Sequence, residues 1–364
     1  MALAAARRMP SWTTVVPVVA VTMLLLTWGR ELPPAGVAVV AVVLGASVMG
    51  AVHHAEVVAH RVGEPFGSLV LAVAVTIIEV GLIVALMGAG GQGASTLARD
   101  TVFSAAMITL NGIIGLSLLA GALRHDIVVF NAEGAGAALA TALTLATLSL
   151  VLPTFTTAEA GPEFSGSQLA FAAVSSLVLY AMFVSTQTRR HRDFFLPVAI
   201  DGEPATDHAE PPSTRQALGS LALLMLSLVG VVGLAKIESP AIEAGVVAAG
   251  LPHSFVGVII AVLVLAPETL AAVRAARRNR LQTSLNLAIG SAIASIGLTI
   301  PVIAVASIWM DGPLHLGLAP LQMALLVITG VVAMLTVVPG RATRLQAGVH
   351  LVLLAAFVFL AANP

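Results

Sequence analysis

The stretch "LAVAVTIIEVGLIVALMGAG", residues 71–90, is almost wholly apolar, yet it carries one carboxylic acid, Glu79, at its middle. A membrane-spanning helix needs ~20 mostly apolar residues. An acid at the centre of such a span costs about 2.5–3.5 kcal/mol on insertion scales. The stretch "AVLVLAPETL", residues 261–270, repeats the arrangement with Glu268. No Lys or Arg falls in the interior of any expected span, Lys236 and Arg344 standing only at span ends, so the compensating positive charge must be a proton or a cation brought from outside the protein.

The composition around these acids sets the class. The chain has 364 residues, 58% of them hydrophobic and only 10% charged. A soluble domain carries about 25% charged residues, so this chain reads as an integral membrane protein with little material outside the bilayer. A net charge of −1 argues against a nucleic-acid partner. The absence of cysteine excludes disulfides, thiol nucleophiles and thiolate metal sites. Arg7 and Arg8 precede an apolar run, as in a signal peptide, but no A-x-A-like cleavage site follows. The run reads as a first span, with "TWGRELPP" turning the chain after it.

Eleven spans are expected, at 12–29, 35–57, 66–88, 101–123, 132–152, 168–187, 216–236, 253–273, 282–308, 318–338 and 344–361. The segment 241–251, "AIEAGVVAAGL", is too short to cross and belongs to a loop or to an extension of a neighbouring helix. Cytoplasmic loops hold the excess of Lys and Arg. With the N-terminus inside, only Arg30, Arg99 and Lys236 fall outside and all other basic residues fall inside. This asymmetry predicts a cytoplasmic N-terminus and an outside C-terminus. The polar, Pro-containing stretch 188–215 is a cytoplasmic linker, too short and too polar to fold alone.

Set apart from the first span, five spans precede the linker and five follow it. Each set has its glutamate in its second span, then an Arg-containing stretch, then a span rich in small and amide residues ("TLNGIIGLS", 109–117, and "NLAIGSAIASIG", 286–297). Five is odd, so the second set enters from the opposite side. The expected architecture is therefore all-α and polytopic: an N-terminal helix in 1–30, repeat one in 31–187, the linker 188–215, and an inverted repeat two in 216–364. In such proteins the substrate site lies near the midplane at the repeat interface.

Two buried acids related by this pseudo-symmetry should face one central cavity. Each is neutralised either by protonation or by a bound cation, and competition between the two for one carboxylate is the chemistry of a cation/proton antiporter. Paired carboxylates suit a divalent ion, and they titrate as a coupled pair. Calcium takes 6–8 oxygen ligands, more than Glu79 and Glu268 supply, so hydroxyls, amides, carbonyls and water must add the rest. Pro267 leaves a carbonyl near Val264 or Leu263 without its helical donor, and Thr76 lies one turn before Glu79. On the following spans Asn111, Asn286, Ser291 and Ser295 are secondary candidates. Ser291 and Ser295 are four apart and share a helix face; for them close packing of small residues is the stronger reading. Asn111 and Asn286 divide between ligation and interhelical hydrogen bonding, and Gly112, Gly115, Gly290 and Gly297 permit close crossings.

Other marked residues have plainer readings. His53, His54 and His60 read as a solvated interfacial face. Glu64 in "GEPFG" suits a helix N-terminus. Arg274, Arg277, Arg278 and Arg280 read as an orientation signal, Arg99–Asp100 and His125–Asp126 as loop pairs, and Asn131 as the cap of the helix containing Glu133.

The segments "GEPFGSLVLAVAVTIIEVGLIVAL" and "LAPETLAAVRAARRNRLQTSLNLAIGSAIASIGLTIPVIAV", with "HRDFF" at 191–195, resemble the repeats of bacterial calcium/proton antiporters of the cation/calcium exchanger superfamily. The likeness is strongest to the sodium–potassium (calcium)/proton antiporters. The resemblance implies eleven helices, alternating access, and Glu79 and Glu268 as the cation- or proton-binding pair. Many exchangers place Gly-Asn before the glutamate, as GN-x-x-E. Here those positions are Val75-Thr76 and Val264-Leu265, so the coordination sphere differs, which leaves room for sodium or potassium beside calcium.

The sequence thus predicts a secondary transporter, without cofactor, that exports calcium (with sodium and potassium as further substrates) against protons. Its partners are these ions and the lipid bilayer. The rivals are a sodium-driven calcium exchanger, which needs more ligands, an intramembrane metal-dependent enzyme, and a channel. Catalytic zinc prefers His ligands, and His253, His315 and His350 lie far in sequence from both glutamates.

Overall fold

The computed structural model describes residues 11–63, 66–88, 93–196, 212–310 and 312–364, with side chains described throughout except at 66–69. Glu64, the linker stretch 197–211 and the basic pair Arg7–Arg8 lie outside the described residues.

The chain is all-α. Ten helical segments among the described residues are long and apolar enough to cross a membrane, and a shorter apolar helix, α1 (Trp12–Thr27), precedes them. They run in the expected order. In the first half come α2 (Pro34–Val62) and α3 (Phe66–Met87). The next span is a composite: α4 (Ala94–Met107), a π-helical segment at Ile108–Ile113, and α5 (Ile114–His125). Then follow α6 (Ala132–Ala146), continued by a second π segment at Thr147–Val151, and α7 (Gly166–Ser185). The second half contains α8 (Thr214–Ala248), α9 (Phe255–Arg277), α10 (Leu281–Ala306), α11 (Pro320–Val337) and α12 (Arg344–Ala362).

Helix ends follow local chemistry. Asn131 caps α6, its side chain accepting from the Glu133 and Gly134 amides. The segment 241–248 extends α8 rather than forming a loop. Its one glycine, Gly245, stays helical, and the helix stops only where Gly250 takes a φ of +71°. There the Gly250 amide donates to the Val247 carbonyl and the Leu251 amide to the Val246 carbonyl, the pattern that closes helices at a left-handed glycine. The span that begins with α4 also starts earlier than expected. Arg99 and Asp100 are therefore not a loop pair but lie on a helix, with Asp100 only 3% exposed. His125–Asp126 is likewise no pair: Asp126 binds Arg344 at 2.8 Å.

By packing, the chain divides into two compact units, Met1–Ala74 with Pro211–Glu238, and Val75–Glu210 with Ser239–Pro364. Each draws on both halves of the sequence. In the first unit α1 lies along α2, and α8 approaches α1 at two glycines: a Cβ on Gly230 would fall 2.8 Å from the Ala20 Cβ, and one on Gly233 2.5 Å from Leu24. His54 is buried there, with Nε2 2.8 Å from the Thr13 carbonyl oxygen. This corrects the solvated-face reading for His54, while His53 and His60 are exposed as expected. The cause is α1, whose start covers that part of α2.

In the second unit α10 packs against α6, α7 and α9, α4 against α9, and α5 against α12. At the α4–α9 crossing a Cβ on Gly257 would stand 2.7 Å from the Asp100 carbonyl carbon and the Thr101 nitrogen, so only glycine allows these backbones to meet. Loops expected on one side of the membrane touch one another. A two-stranded pair joins β1 (Val128–Val129) to β2 (Arg341–Ala342), and Arg124 reaches the Arg277 carbonyl. On the opposite side the His315 amide meets the Ser95 carbonyl and the Gly317 amide the Pro162 carbonyl.

Candidate functional site

The second unit contains both candidate glutamates, while a third buried glutamate, Glu238, belongs to the first unit. Glu79 is 3% exposed, set in α3 among Ile78, Val80, Leu82 and Ile83. Glu268 is 7% exposed in α9. That helix runs unbroken through Pro267, which has no N–H to offer the carbonyl of Leu263 one turn earlier.

The two acids come together on α10. Ser295 Oγ donates to Glu79 Oε1 at 2.6 Å, and Ser291 Oγ donates to Glu268 Oε2. The serines are four residues apart, or about 6 Å along the helix axis, so the carboxyls of α3 and α9 dock on one face of a third helix, one turn apart. Close packing alone does not account for the two serines, since each hydroxyl is spent on a carboxylate. Thr76 is buried one turn before Glu79.

This donor set is one of hard oxygens: two carboxyl groups and two hydroxyls. Such groups suit sodium, potassium and calcium. A serine hydroxyl has one hydrogen to give and lone pairs to accept with. It can donate to an ionised carboxylate, accept from a protonated one, or turn an oxygen lone pair toward a cation. The same pair of serines therefore satisfies every occupancy state of the acids.

The two amide candidates are placed elsewhere. Asn111 sits in the π segment with its Nδ2 2.9 Å from Thr329 Oγ1 and its Oδ1 3.3 Å from His350 Nδ1. Asn286 donates to the Phe195 carbonyl at 2.6 Å and accepts from Gln282 at 2.8 Å. Both are engaged in joining helices, and the structure does not bring them to the glutamates.

Two features of the second unit were not anticipated. Asp100 anchors a cluster at one end of it: Arg99 binds its Oδ1 at 2.8 Å, Thr96 its Oδ2 at 2.8 Å, and Gln322 approaches at 3.4 Å. Arg99 also donates to the Gly317 carbonyl. The other is the buried group around His350. Its signal, a titratable residue in the middle of the apolar run "AGVHLVLLAA", is present in the sequence, but distance along the chain from the glutamates hid its relevance.

Against known proteins, the model of the family described as sodium/calcium exchanger protein matches residues 16–189 and 219–363. A Sinorhizobium fredii protein named provisionally as ionic transporter y4hA is 46% identical over 98% of this chain and 97% of its own. The sodium-potassium/proton antiporter ChaA of Escherichia coli is 34% identical over 94% of this chain and 93% of its own. Among solved structures, native YfkE superposes with a TM-score of 0.70 at 16% identity, covering 97% of this chain and 99% of that one. Another structure of YfkE is titled as a Ca2+/H+ antiporter. At such identity this likeness shows the fold alone.

Proposed function

From the premise that the chain belongs to the sodium/calcium exchanger family, as a cation/proton antiporter of the calcium/cation exchanger superfamily, we propose that Glu79 and Glu268 are its exchange site, with calcium as principal substrate and sodium and potassium as further ones. The family match over both halves supports the coarse activity. The observation that carries the finer reading is the docking of both carboxyls on Ser291 and Ser295 of one helix face. The activities named for relatives support both ion classes: one is a sodium-potassium/proton antiporter, and another, from Aphanothece halophytica, is a Ca2+/H+ antiporter 24% identical over 66% of this chain.

In this reading a cytoplasmic cation enters the site and displaces protons from the two glutamates. The loaded protein changes its side of access. Protons outside, at higher concentration, then displace the cation and reset the cycle. One divalent ion replacing two protons moves no net charge. Tight coupling requires that the empty, doubly ionised protein rarely changes sides, and two bare anions in a closing low-dielectric gate oppose that step. Ser291 and Ser295 hold each carboxyl through all its states. Thr76 and the Leu263 carbonyl are further oxygens close along α3 and α9. The protein resides in the inner membrane with its N-terminus cytoplasmic.

The test is cation-driven proton movement in proteoliposomes. Calcium, and to a lesser extent sodium or potassium, should release protons from an acid-loaded lumen. Calcium movement that follows a sodium gradient with no proton gradient present would replace this reading by sodium-driven exchange.

A further inference from the structure

The second unit buries a titratable ring that the exchange chemistry above leaves unused. His350, at the middle of α12, is 0% exposed. Its Nδ1 lies 3.3 Å from Asn111 Oδ1 and its Nε2 3.1 Å from Thr336 Oγ1. Asn111 gives its amide nitrogen to Thr329 at 2.9 Å, and Thr329 directs its hydroxyl at Met107 Sδ. With that amide nitrogen engaged, the atom facing the ring is a carbonyl oxygen, which only accepts. Nδ1 therefore carries the hydrogen, and Nε2 accepts from the Thr336 hydroxyl. The cavity beside the ring is lined by Ile114, Leu118, Leu139 and Ile289 and admits no water molecule. Protein groups, not solvent, satisfy this ring.

A leucine here would be cheaper to bury. The polar ring is explained by what it holds. Asn111 belongs to the π segment Ile108–Ile113. Such wide turns have poorer backbone geometry than an α-helix and recur at functional sites. The approach of α12 to this segment is itself built in. A Cβ on Gly115 would meet the His350 Cβ at 3.1 Å, and one on Gly112 would meet Leu354 at 3.3 Å. On its other faces the π segment packs on α9 and α10, which carry Glu268 and its serine partner Ser291.

We infer that His350 is a positioning residue for the exchange reaction: with Asn111, Thr329 and Thr336 it fixes the π segment that backs the glutamate-bearing and serine-bearing helices. This rests on the assignment of Glu79 and Glu268 as the exchange site. The ring touches no ion. It acts through Asn111 on the placement of α9 against α10.

The experiment is proton movement driven by graded calcium in proteoliposomes containing the full chain. His350→Leu removes the ring's hydrogen bonds to Asn111, Thr336 and the Leu110 backbone and should raise the cation KM about tenfold, the low end of losses seen when residues supporting a metal ligand are removed. His350→Asn restores a donor near the Nδ1 position and should return KM most of the way to that of the unaltered chain. Thr336→Val, nearly isosteric, should raise KM by a smaller factor and serves if His350→Leu does not fold. A folded His350→Leu or Thr336→Val with unaltered KM overturns the positioning role, as does a reduced maximal rate at unchanged KM. So does a raised KM that His350→Asn fails to lower. The unaltered chain and Glu79→Gln, run alongside, separate the two claims. An inactive unaltered chain or an active Glu79→Gln sinks the exchange site. An active unaltered chain, a silent Glu79→Gln and an unshifted His350→Leu sink only the positioning role.

Discussion

Ser291 and Ser295 stand one turn apart on α10, and each gives its hydroxyl hydrogen to a different buried glutamate. The two acids reach this helix from different halves of the chain, α3 and α9, so a single helix face joins the two halves. Removing either hydroxyl takes one hydrogen-bond donor from a carboxyl. Ser295→Ala and Ser291→Ala are each expected to raise the calcium KM about tenfold, while threonine at either position keeps the oxygen and most of the affinity. Initial rates of calcium-driven proton release read this directly. Alanine variants with unaltered KM would return the serines to the role of small packing residues.

The acids themselves allow a sharper outcome. Glu79→Gln and Glu268→Gln preserve size and hydrogen bonding but can be neither ionised nor discharged. Each should abolish exchange while the purified protein still elutes as a folded species with unaltered helical content. Neutral Gln also removes a costly buried ionisable group, so thermal stability should hold or rise. Transport that survives in both variants would remove the exchange site from these residues.

Competition fixes the sign of the pH dependence. In the proposed exchange, cation binding requires the glutamates to lose their protons. The apparent calcium KM should therefore fall as pH rises, by at most about a hundredfold per pH unit where two protons leave per ion, and level off once both acids are ionised. Initial rates of calcium-driven proton movement in proteoliposomes across pH measure it. A KM that rises with pH, or is flat, contradicts shared occupancy.

Much of this was legible in the residues. Hydropathy marks the spans because a helix in lipid must satisfy its backbone internally. Glu79 and Glu268 stand out because nothing else charged shares their centre. What sequence could not supply was partner choice among the polar residues of the following spans. Asn111, Asn286, Ser291 and Ser295 look alike on paper. Which of them meets a carboxyl depends on helix rotation, set by close contacts such as Gly257 against Asp100 and Gly297 against Tyr180. Asn111 turns to α11 and α12 because a π segment shifts its bearing, and no simple periodicity announces a π turn. Asp100 was read as a loop residue because its hydrogen-bond partners, Gln322 and the Arg99 that also reaches Gly317, are assembled only by the fold.

That cluster yields a stability prediction. Arg99 is 15% exposed at its side chain and Asp100 3%, so the pair is largely withdrawn from solvent. Asp100→Ala leaves the guanidinium with the Gly317 carbonyl but no counter-charge, and the Thr96 hydroxyl with only its longer bond to the Gly93 carbonyl at 3.2 Å. Breaking a buried pair by removing one partner costs about 3–5 kcal/mol, and the residual exposure of Arg99 places the expected loss at the lower end. The thermal midpoint in detergent should drop by several degrees. Replacing both residues, Arg99→Met with Asp100→Leu, should recover most of it, because neither partner is then left uncompensated. If Asp100→Ala melts with the unaltered chain, the pair contributes nothing to stability, and the close crossing of α4 and α9 at Gly257, with the backbone bonds of His315 and Gly317, must hold that end of the unit.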